Sequence, residues 1–310
     1  MDRRQSALIR IVAWSVTAAA LIIILILGLT GRFHWFNIGF SSGYYYSDSG
    51  KYQAGAGKID GSQVDDLDVN WMDGSIRIEV YDGDTVQFYE KASRKLEEKE
   101  QLHYYNKSGR LMIQYQKAQK GLLSNNSSPN KELTVKIPAE TAKRLGYVGV
   151  DTISSSTSIK GITADRLELN STSGDFELEN CRTAELDMDS TSGELTGTNV
   201  TAEDKLATST TSGSVQLEGS FRKVTADTVS GDIVIESDIC PDKVSTDSVS
   251  GEAAFTIPDN DGFTYSTDTV SGGFSCDFEV SHEDERGTYK DGGASFHFSS
   301  VSGDFTIKKK

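Results

Sequence analysis

A four-residue phrase dominates the second half of the chain: Ser or Thr, then Thr or Val, then Ser-Gly. It stands at Ser171 to Gly174, Ser190 to Gly193, Thr210 to Gly213, Thr228 to Gly231, Ser248 to Gly251, Thr269 to Gly272 and Ser300 to Gly303. Its glycines follow one another at 19, 20, 18, 20, 21 and 31 residues. Self-similarity at such a period predicts a solenoid, one coil per repeat, each coil stacked on the last.

Taking the second Ser of the phrase as position zero aligns the coils. Six residues before it stand Val148, Leu167, Leu186, Leu206, Val224, Val244, Tyr265 and Phe296. Three after it stand Phe176, Leu195, Val215, Ile233, Ala253, Phe274 and Phe305. Apolar residues also recur four before and five after, so each coil carries two short stretches of period-two alternation, each a strand with one buried face. The phase breaks at the phrase, which places a corner there. Gly supplies the dihedral freedom of that corner, and the Ser and Thr hydroxyls are expected to bond to one another up and down a narrow interior. Ser154-Ser155 is an eighth copy without Gly. Eight coils at about 4.8 Å make a rod of roughly 35–40 Å.

The same alignment exposes two acidic columns. Two residues after zero stand Asp175, Glu194, Asp232, Glu252 and Asp304; three before it stand Asp151, Asp189, Asp227, Asp247 and Asp268, interrupted by Asn170, Ser209 and Ser299. Asp, Asn and Ser at corners bond to nearby backbone N–H groups. Stacked carboxylates also repel unless neutralised, which makes Ca²⁺ or a cationic ligand the sharper expectation; no other cofactor is expected. The last coil alone carries an insertion, and its charged loop of His282, Glu283, Asp284, Arg286 and Tyr289 is a candidate binding spot. No repeated His or Lys stands ready to activate the serines, so no catalytic residue is assigned.

Ile11 to Leu29 is an uncharged apolar run, long enough at about 1.5 Å per residue to cross a bilayer core. Arg3, Arg4 and Arg10 precede it, which places residues 1–10 in the cytoplasm and the bulk of the chain outside. Residues 11–31 therefore read as an uncleaved signal anchor and 32–57, rich in Gly, Ser and Tyr, as a flexible linker. Residues 58–147 read as a β-rich capping lobe holding a first coil around Leu67 to Ile78, and 148–310 as the solenoid repeats. Within the lobe, Asp82-Gly83-Asp84 and Asn106-Lys107-Ser108-Gly109 are expected to turn two hairpins. Lys308 to Lys310 are expected to guard the final strand edge.

A net charge of -15 excludes a phosphate-backbone partner and so nucleic acid. Cys181, Cys240 and Cys276 make an odd count without a C-x-x-C pair, so no disulfide framework is expected. Cys276 reads as a small core residue, and a bridge between the other two stays open.

The run from Leu67 to Ile78 (LDVNWMDGSIRI), followed by Tyr81-Asp-Gly-Asp, then Leu133-Thr-Val-Lys-Ile-Pro and the later Ser-Gly-Asp coils, resembles the bacterial putative-adhesin family of β-strand repeats. The resemblance covers roughly Lys58 to Lys310. It implies an all-β parallel solenoid (β-helix), tethered to a bacterial envelope, and supplies no catalytic residues. The function expected is a non-enzymatic, membrane-anchored module that binds or scaffolds at the cell envelope, with an envelope protein, a cell-wall component or a cationic ligand as partner. A polysaccharide-active β-helix enzyme and a partner subunit in envelope-stress signalling are the alternatives.

Overall fold

The structure, a computed structural model, describes residues 44–118, 129–283 and 285–310. The apolar run before Thr30 lies outside them; among the described residues no helix is long and apolar enough to cross a membrane. The chain is all-β with mostly parallel pairing, and each coil contributes one strand to a first stack and one to a second. In chain order the coils are: coil 1 (Asp66–Trp71, Gly74–Tyr81), coil 2 (Arg110–Gln114, Lys131–Pro138), coil 3 (Leu145–Thr152, Ser156–Lys160) and coil 4 (Thr163–Ser171, Phe176–Glu179). Coil 5 is Arg182–Ser190 with the start of the long strand Leu195–Thr210, whose end opens coil 6, completed by Val215–Phe221. Coil 7 (Lys223–Thr228, Ile233–Ser237), coil 8 (Lys243–Ser248, Ala253–Ile257), coil 9 (Gly262–Thr269, Phe274–Cys276) and coil 10 (Ala294–Ser300, Phe305–Lys309) follow.

Between coils 3 and 8 the stacking order is the chain order. At both ends it is not. Coil 1 pairs with coil 3 on one side and coil 2 on the other, so coil 2 lies outermost. Coil 10 is inserted between coils 8 and 9. The order in space is thus 2-1-3-4-5-6-7-8-10-9, a stack of about 43 Å at about 4.8 Å per step. A strictly sequential stack is therefore corrected at its last two coils, and Lys308 to Lys310 guard no edge. Phe305–Lys309 is an interior strand, and Lys310 Nζ instead reaches Asp238 at 2.7 Å and Glu236 at 3.0 Å.

The two strands of every coil turn their apolar columns toward each other. In the first stack the inward column runs Leu111, Leu67, Val148, Leu167, Leu186, Leu206, Val224, Val244, Phe296 and Tyr265, all buried. In the second it includes Ile76, Phe176, Leu195, Val215, Ile233, Ala253 and Phe305. Each fully buried side chain of this size contributes about 1.5–3 kcal/mol.

The corner works differently from the expectation. The first hydroxyl of the phrase is buried but bonds within its own coil, accepting from the Gly N–H three residues on: Gly193 N to Ser190 Oγ 2.7 Å, Gly213 N to Thr210 Oγ1 2.8 Å, Gly231 N to Thr228 Oγ1 2.8 Å. The second Ser is exposed in most coils and donates to a carbonyl of the coil below, as Ser192 Oγ does to Thr172 O at 3.2 Å. Among the described hydroxyls of the phrase, direct pairing is confined to Ser248 and Ser300, 3.4 Å apart. Backbone groups at a corner need partners more than hydroxyls need each other, and a short side chain reaches them first. Nor is the Gly there for its dihedrals. At Gly213 a Cβ would stand 2.0 Å from the Gly193 carbonyl oxygen, and at Gly193 2.0 Å from that of Gly174. The glycines let one corner settle directly on the next. Gly251, at φ +126°, is the coil where left-handed backbone is also required.

Two further expectations change, at the first turn and in the stretch read as a linker. Asp82-Gly83-Asp84 does turn the chain, but its flanking strands do not pair: Lys131–Pro138 lies between them, parallel to Gly74–Tyr81 and antiparallel to Thr85–Ala92. The second hairpin forms as expected, His103–Lys107 against Arg110–Gln114, with Ser108 and Gly109 both at positive φ. From Tyr44 onward the stretch read as a linker packs on the lobe. Tyr44 is buried and donates to Gln114 Oε1 at 2.7 Å, and Tyr46 lies against Tyr52, ring centroids 4.6 Å apart. All three cysteines are free; Cys181 is buried, and Cys240 and Cys276 are half-buried.

Candidate functional site

The column two residues after position zero is turn chemistry. Asp175 Oδ1 accepts from Glu194 N at 3.0 Å, Asp232 Oδ1 from Glu252 N at 2.9 Å, and Asp304 Oδ1 from Gly273 N at 2.7 Å. Each carboxylate closes the corner of the neighbouring coil. Among the described residues no three His, Cys, Asp or Glu side chains come together to hold a metal ion.

The column three residues before zero faces outward on the first stack, where period two places a second outward column beside it. In register across coils 1, 3, 4, 5 and 6 run Asn70, Asp151, Asn170, Asp189 and Ser209; next to them run Asp68, Gly149, Glu168, Asp187 and Ala207. The second column escaped the sequence reading, although the alternation that exposes Asp189 also exposes Asp187. The carboxylates of this strip outnumber its cations, and the pairs are shared. Arg110 bonds Asp68 at 2.7 Å and lies over the Tyr147 ring, 4.9 Å from its centroid. Arg166 reaches Glu168 at 3.3 Å, Glu185 at 3.4 Å and Asp187 at 2.8 Å, and Lys205 stands 3.6 Å from Asp187.

Crowding alters the acids. Burial pushes the Asp151 carboxyl up to about 7, against the Asn170 amide that bonds it at 2.8 Å, with Asp68 and Glu168 adding repulsion. Burial likewise raises Asp68 against the pull of Arg110. Farther along, burial and the neighbouring Asp247 push Asp227 up to about 6. Asp189, Asp227, Asp247 and Asp268 share the face, with Ser299 between Asp247 and Asp268.

The insertion before coil 10 is a cap. Ser281–Glu283 and Arg286–Lys290 form an antiparallel hairpin, and the second strand pairs antiparallel with Gly262–Thr269. Tyr289 is buried between Phe263 and Phe278 and donates to Asp259 Oδ1 at 2.6 Å, so it belongs to the cap's core and not to a binding spot. Arg286 is exposed, His282 and Glu283 lie in the outer strand, and Asp284 falls outside the described residues. One Ser–His pair is present, Ser266 Oγ 2.8 Å from His297 Nδ1 on the open face. Among the described residues no carboxylate bonds the other ring nitrogen, so the third member of a nucleophilic triad is missing.

Two facing stacks with corner hydroxyls bonded to the backbone and hairpin-capped ends define a β-solenoid of the mostly parallel class. The chain belongs to the Toastrack DUF4097 family, whose model matches residues 55–308. No curated protein matches it. Solved structures that it resembles include a putative lipid binding protein from Parabacteroides distasonis (19% identity, TM-score 0.49, covering 83% of this chain and 97% of that one). Others are a putative adhesin from Bacteroides fragilis (14%, 0.47, 82% and 96%) and a putative cell adhesion protein from Clostridium sporogenes (14%, 0.31, 84% and 100%).

Proposed function

We propose that the protein is a non-enzymatic, membrane-anchored module of the bacterial cell envelope, held by residues 11–31 with its solenoid outside the cytoplasm, and that it binds a cationic partner along the first stack. The observation that carries this reading is the outward strip of coil 1 and coils 3 to 6. It is a continuous, in-register surface with surplus carboxylate, and the uneven charge is costly unless a partner offsets it. A long ligand with amines at strand spacing, such as a basic peptide segment or an amine-bearing wall polymer, matches such a strip. Ca²⁺ remains a second cation for it, read by a rise in melting temperature at millimolar metal.

Photocrosslinking in cells tests the reading. A crosslinker at Ser209 or Thr225, uncharged and outward on the first stack, is expected to capture an envelope component, and salt should weaken the capture. A crosslinker at Gln216, outward on the second stack, should not. Equal capture from both faces, or cleavage of a polysaccharide by the purified chain, would overturn it.

A further inference from the structure

The second stack carries a feature of its own, a groove of about 530 Å³ over its outward face at coils 2, 1, 3 and 4. That volume lies within the 300–1,000 Å³ typical of small-ligand sites. It exists because neighbouring strands place small hydroxyl residues outward. Thr134, Arg77, Ser158 and Glu177 stand in one register row, and Glu132, Ser75 and Ser156 in the next. The antiparallel strand Thr85–Ala92 walls one side with Tyr89 opposite Thr134 and Lys91 opposite Glu132.

Two side chains in it lack the partners their chemistry calls for. Arg77 is exposed and forms no ion pair among the described residues, although acids stand on both sides of it. Ser158 Oγ is buried without a hydrogen-bond partner, an arrangement that costs stability unless something satisfies it.

We infer that this groove is a binding site for an uncharged saccharide. A saccharide presents hydroxyls that both donate and accept, and the groove answers with carboxylates that accept, Arg77 and Lys91 that donate, and Ser and Thr that do either. Tyr89 offers an apolar body beside a polar tip, suited to the C–H face of a sugar ring. Ile76, Leu133 and Phe176 reach the floor but are buried, at 1–2% exposure, which leaves a lipid tail little apolar surface to bind. Glu132, Asp175, Glu177 and Glu194 outnumber Arg77 and Lys91 in the lining, which disfavours an anionic ligand. The site lies on the other stack from the acidic strip and goes beyond the function proposed above, so either can fail alone.

The test is calorimetric titration of the full chain in detergent with chitotetraose, cellotetraose and mannotetraose. At least one should bind, and Arg77→Ala should weaken it about tenfold or more, the loss of one charge-assisted hydrogen bond. Ser156→Gln, which fills the floor from an outward position, should do the same. Neither change touches the core, so both variants should melt as the parent does. Glu185→Gln on the acidic strip should leave affinity unchanged. Failure of all three sugars to bind, or affinity indifferent to both groove variants, overturns the site; binding confined to an acidic oligogalacturonate overturns the uncharged assignment.

Discussion

Coils 4 to 8 and the two ends of the stack are built from the same repeat and solve different problems. In coils 4 to 7 each coil is covered on both sides by its neighbours in the chain, so sequence order and spatial order agree. An end coil has no neighbour on one side and would leave apolar surface and a strand edge bare. Here the chain turns back at both ends. Coil 10 brings Phe296, Phe298, Phe305 and Ile307, all buried, into the interior, and leaves coil 9 outermost with Phe274 and Cys276 only half-buried. At the other end coil 2 passes outside coil 1, and antiparallel strands then cover it: Thr85–Ala92 on one stack, His103–Lys107 on the other. The most apolar coil goes inside and the weaker one becomes the rim.

Deleting a coil tests that difference most severely. Removing residues 223–242 joins Arg222 to Lys243, the register equivalent of Lys223, so coil 8 can settle on coil 6. That variant should still unfold cooperatively by circular dichroism, at a lower melting temperature. Ending the chain at Gly293 should abolish cooperative unfolding. It strips coils 8 and 9 of their common partner and of three buried Phe rings, each worth about 3–5 kcal/mol, against a total of about 5–15 kcal/mol for a typical domain. A cooperative melt from the truncated chain would show that coil 9 can replace coil 10, and the ends would then be ordinary repeats.

Lys131 sharpens the contrast at the other end. Its side chain enters the stack where no regular coil places a charge, and it is fully buried. Its ammonium forms an ion pair with Glu90 Oε2 at 2.7 Å, donates to Glu100 O at 2.7 Å and to Tyr115 O, and lies 5.0 Å from the Trp71 ring centroid. Burial holds its pKa below the usual lysine range although Glu90 opposes this. Lys131→Ala should cost about 3–5 kcal/mol in chemical denaturation, because it leaves the Glu90 carboxylate without its ion-pair partner. Lys131→Met with Glu90→Gln should recover much of that loss. An equal loss in the double variant would mean that the ammonium's bonds to backbone carbonyls matter more than the ion pair.

A smaller effect separates inner corners from the rim. Gly213→Ala puts a methyl against the Gly193 carbonyl and should cost about 1–3 kcal/mol through coil separation. Gly273→Ala on outermost coil 9 meets only the Asp304 side chain, at 3.3 Å, and should change stability by less than about 0.5 kcal/mol. Similar melting shifts for the two would contradict the corner-on-corner account.

The repeat was legible because period, apolar columns and corner all lie within one coil. The buried pattern of Leu167, Leu186 and Leu206 follows from counting back from each Ser-Gly pair. What was not legible is pairing between segments distant in the chain. A turn at Asp82-Gly83-Asp84 looks the same whether its strands pair or admit Lys131–Pro138 between them. The order of coils 9 and 10 did leave a trace. The last copy holds Phe298 where coil 9 has Thr267 and Ile307 where coil 9 has Cys276, which is the reverse of a polar terminal cap. For the site, the outward columns could be read by alternation, but Tyr289 could not be assigned to the core, since its burial depends on Phe263 and Phe278 from other segments.

The junction between lobe and regular coils carries the finest test. Asp151 lies in register between Asn70 and Asn170, at the place where coil 1 meets coil 3. Its folded-state pKa is raised to about 7, with burial the leading cause, against about 3.9 in an unfolded chain. A raised carboxyl pKa means that the folded state binds the proton more tightly than the unfolded one. The contribution is therefore complete below about pH 4 and is lost as pH rises through about 7. Asn170 donates to Asp151 Oδ1 at 2.8 Å, a bond the amide oxygen of an asparagine can also accept. Asp151→Asn should thus match the parent near pH 4 and exceed it at pH 8. Each pKa unit corresponds to about 1.4 kcal/mol before discount for the partial exposure of the side chain, so the gain should be on the order of 1–2 kcal/mol. Denaturation midpoints at the two pH values read it directly. A gain of equal size at both would assign the effect to packing in the asparagine ladder, and the junction would then be no more electrostatically strained than coils 4 to 8.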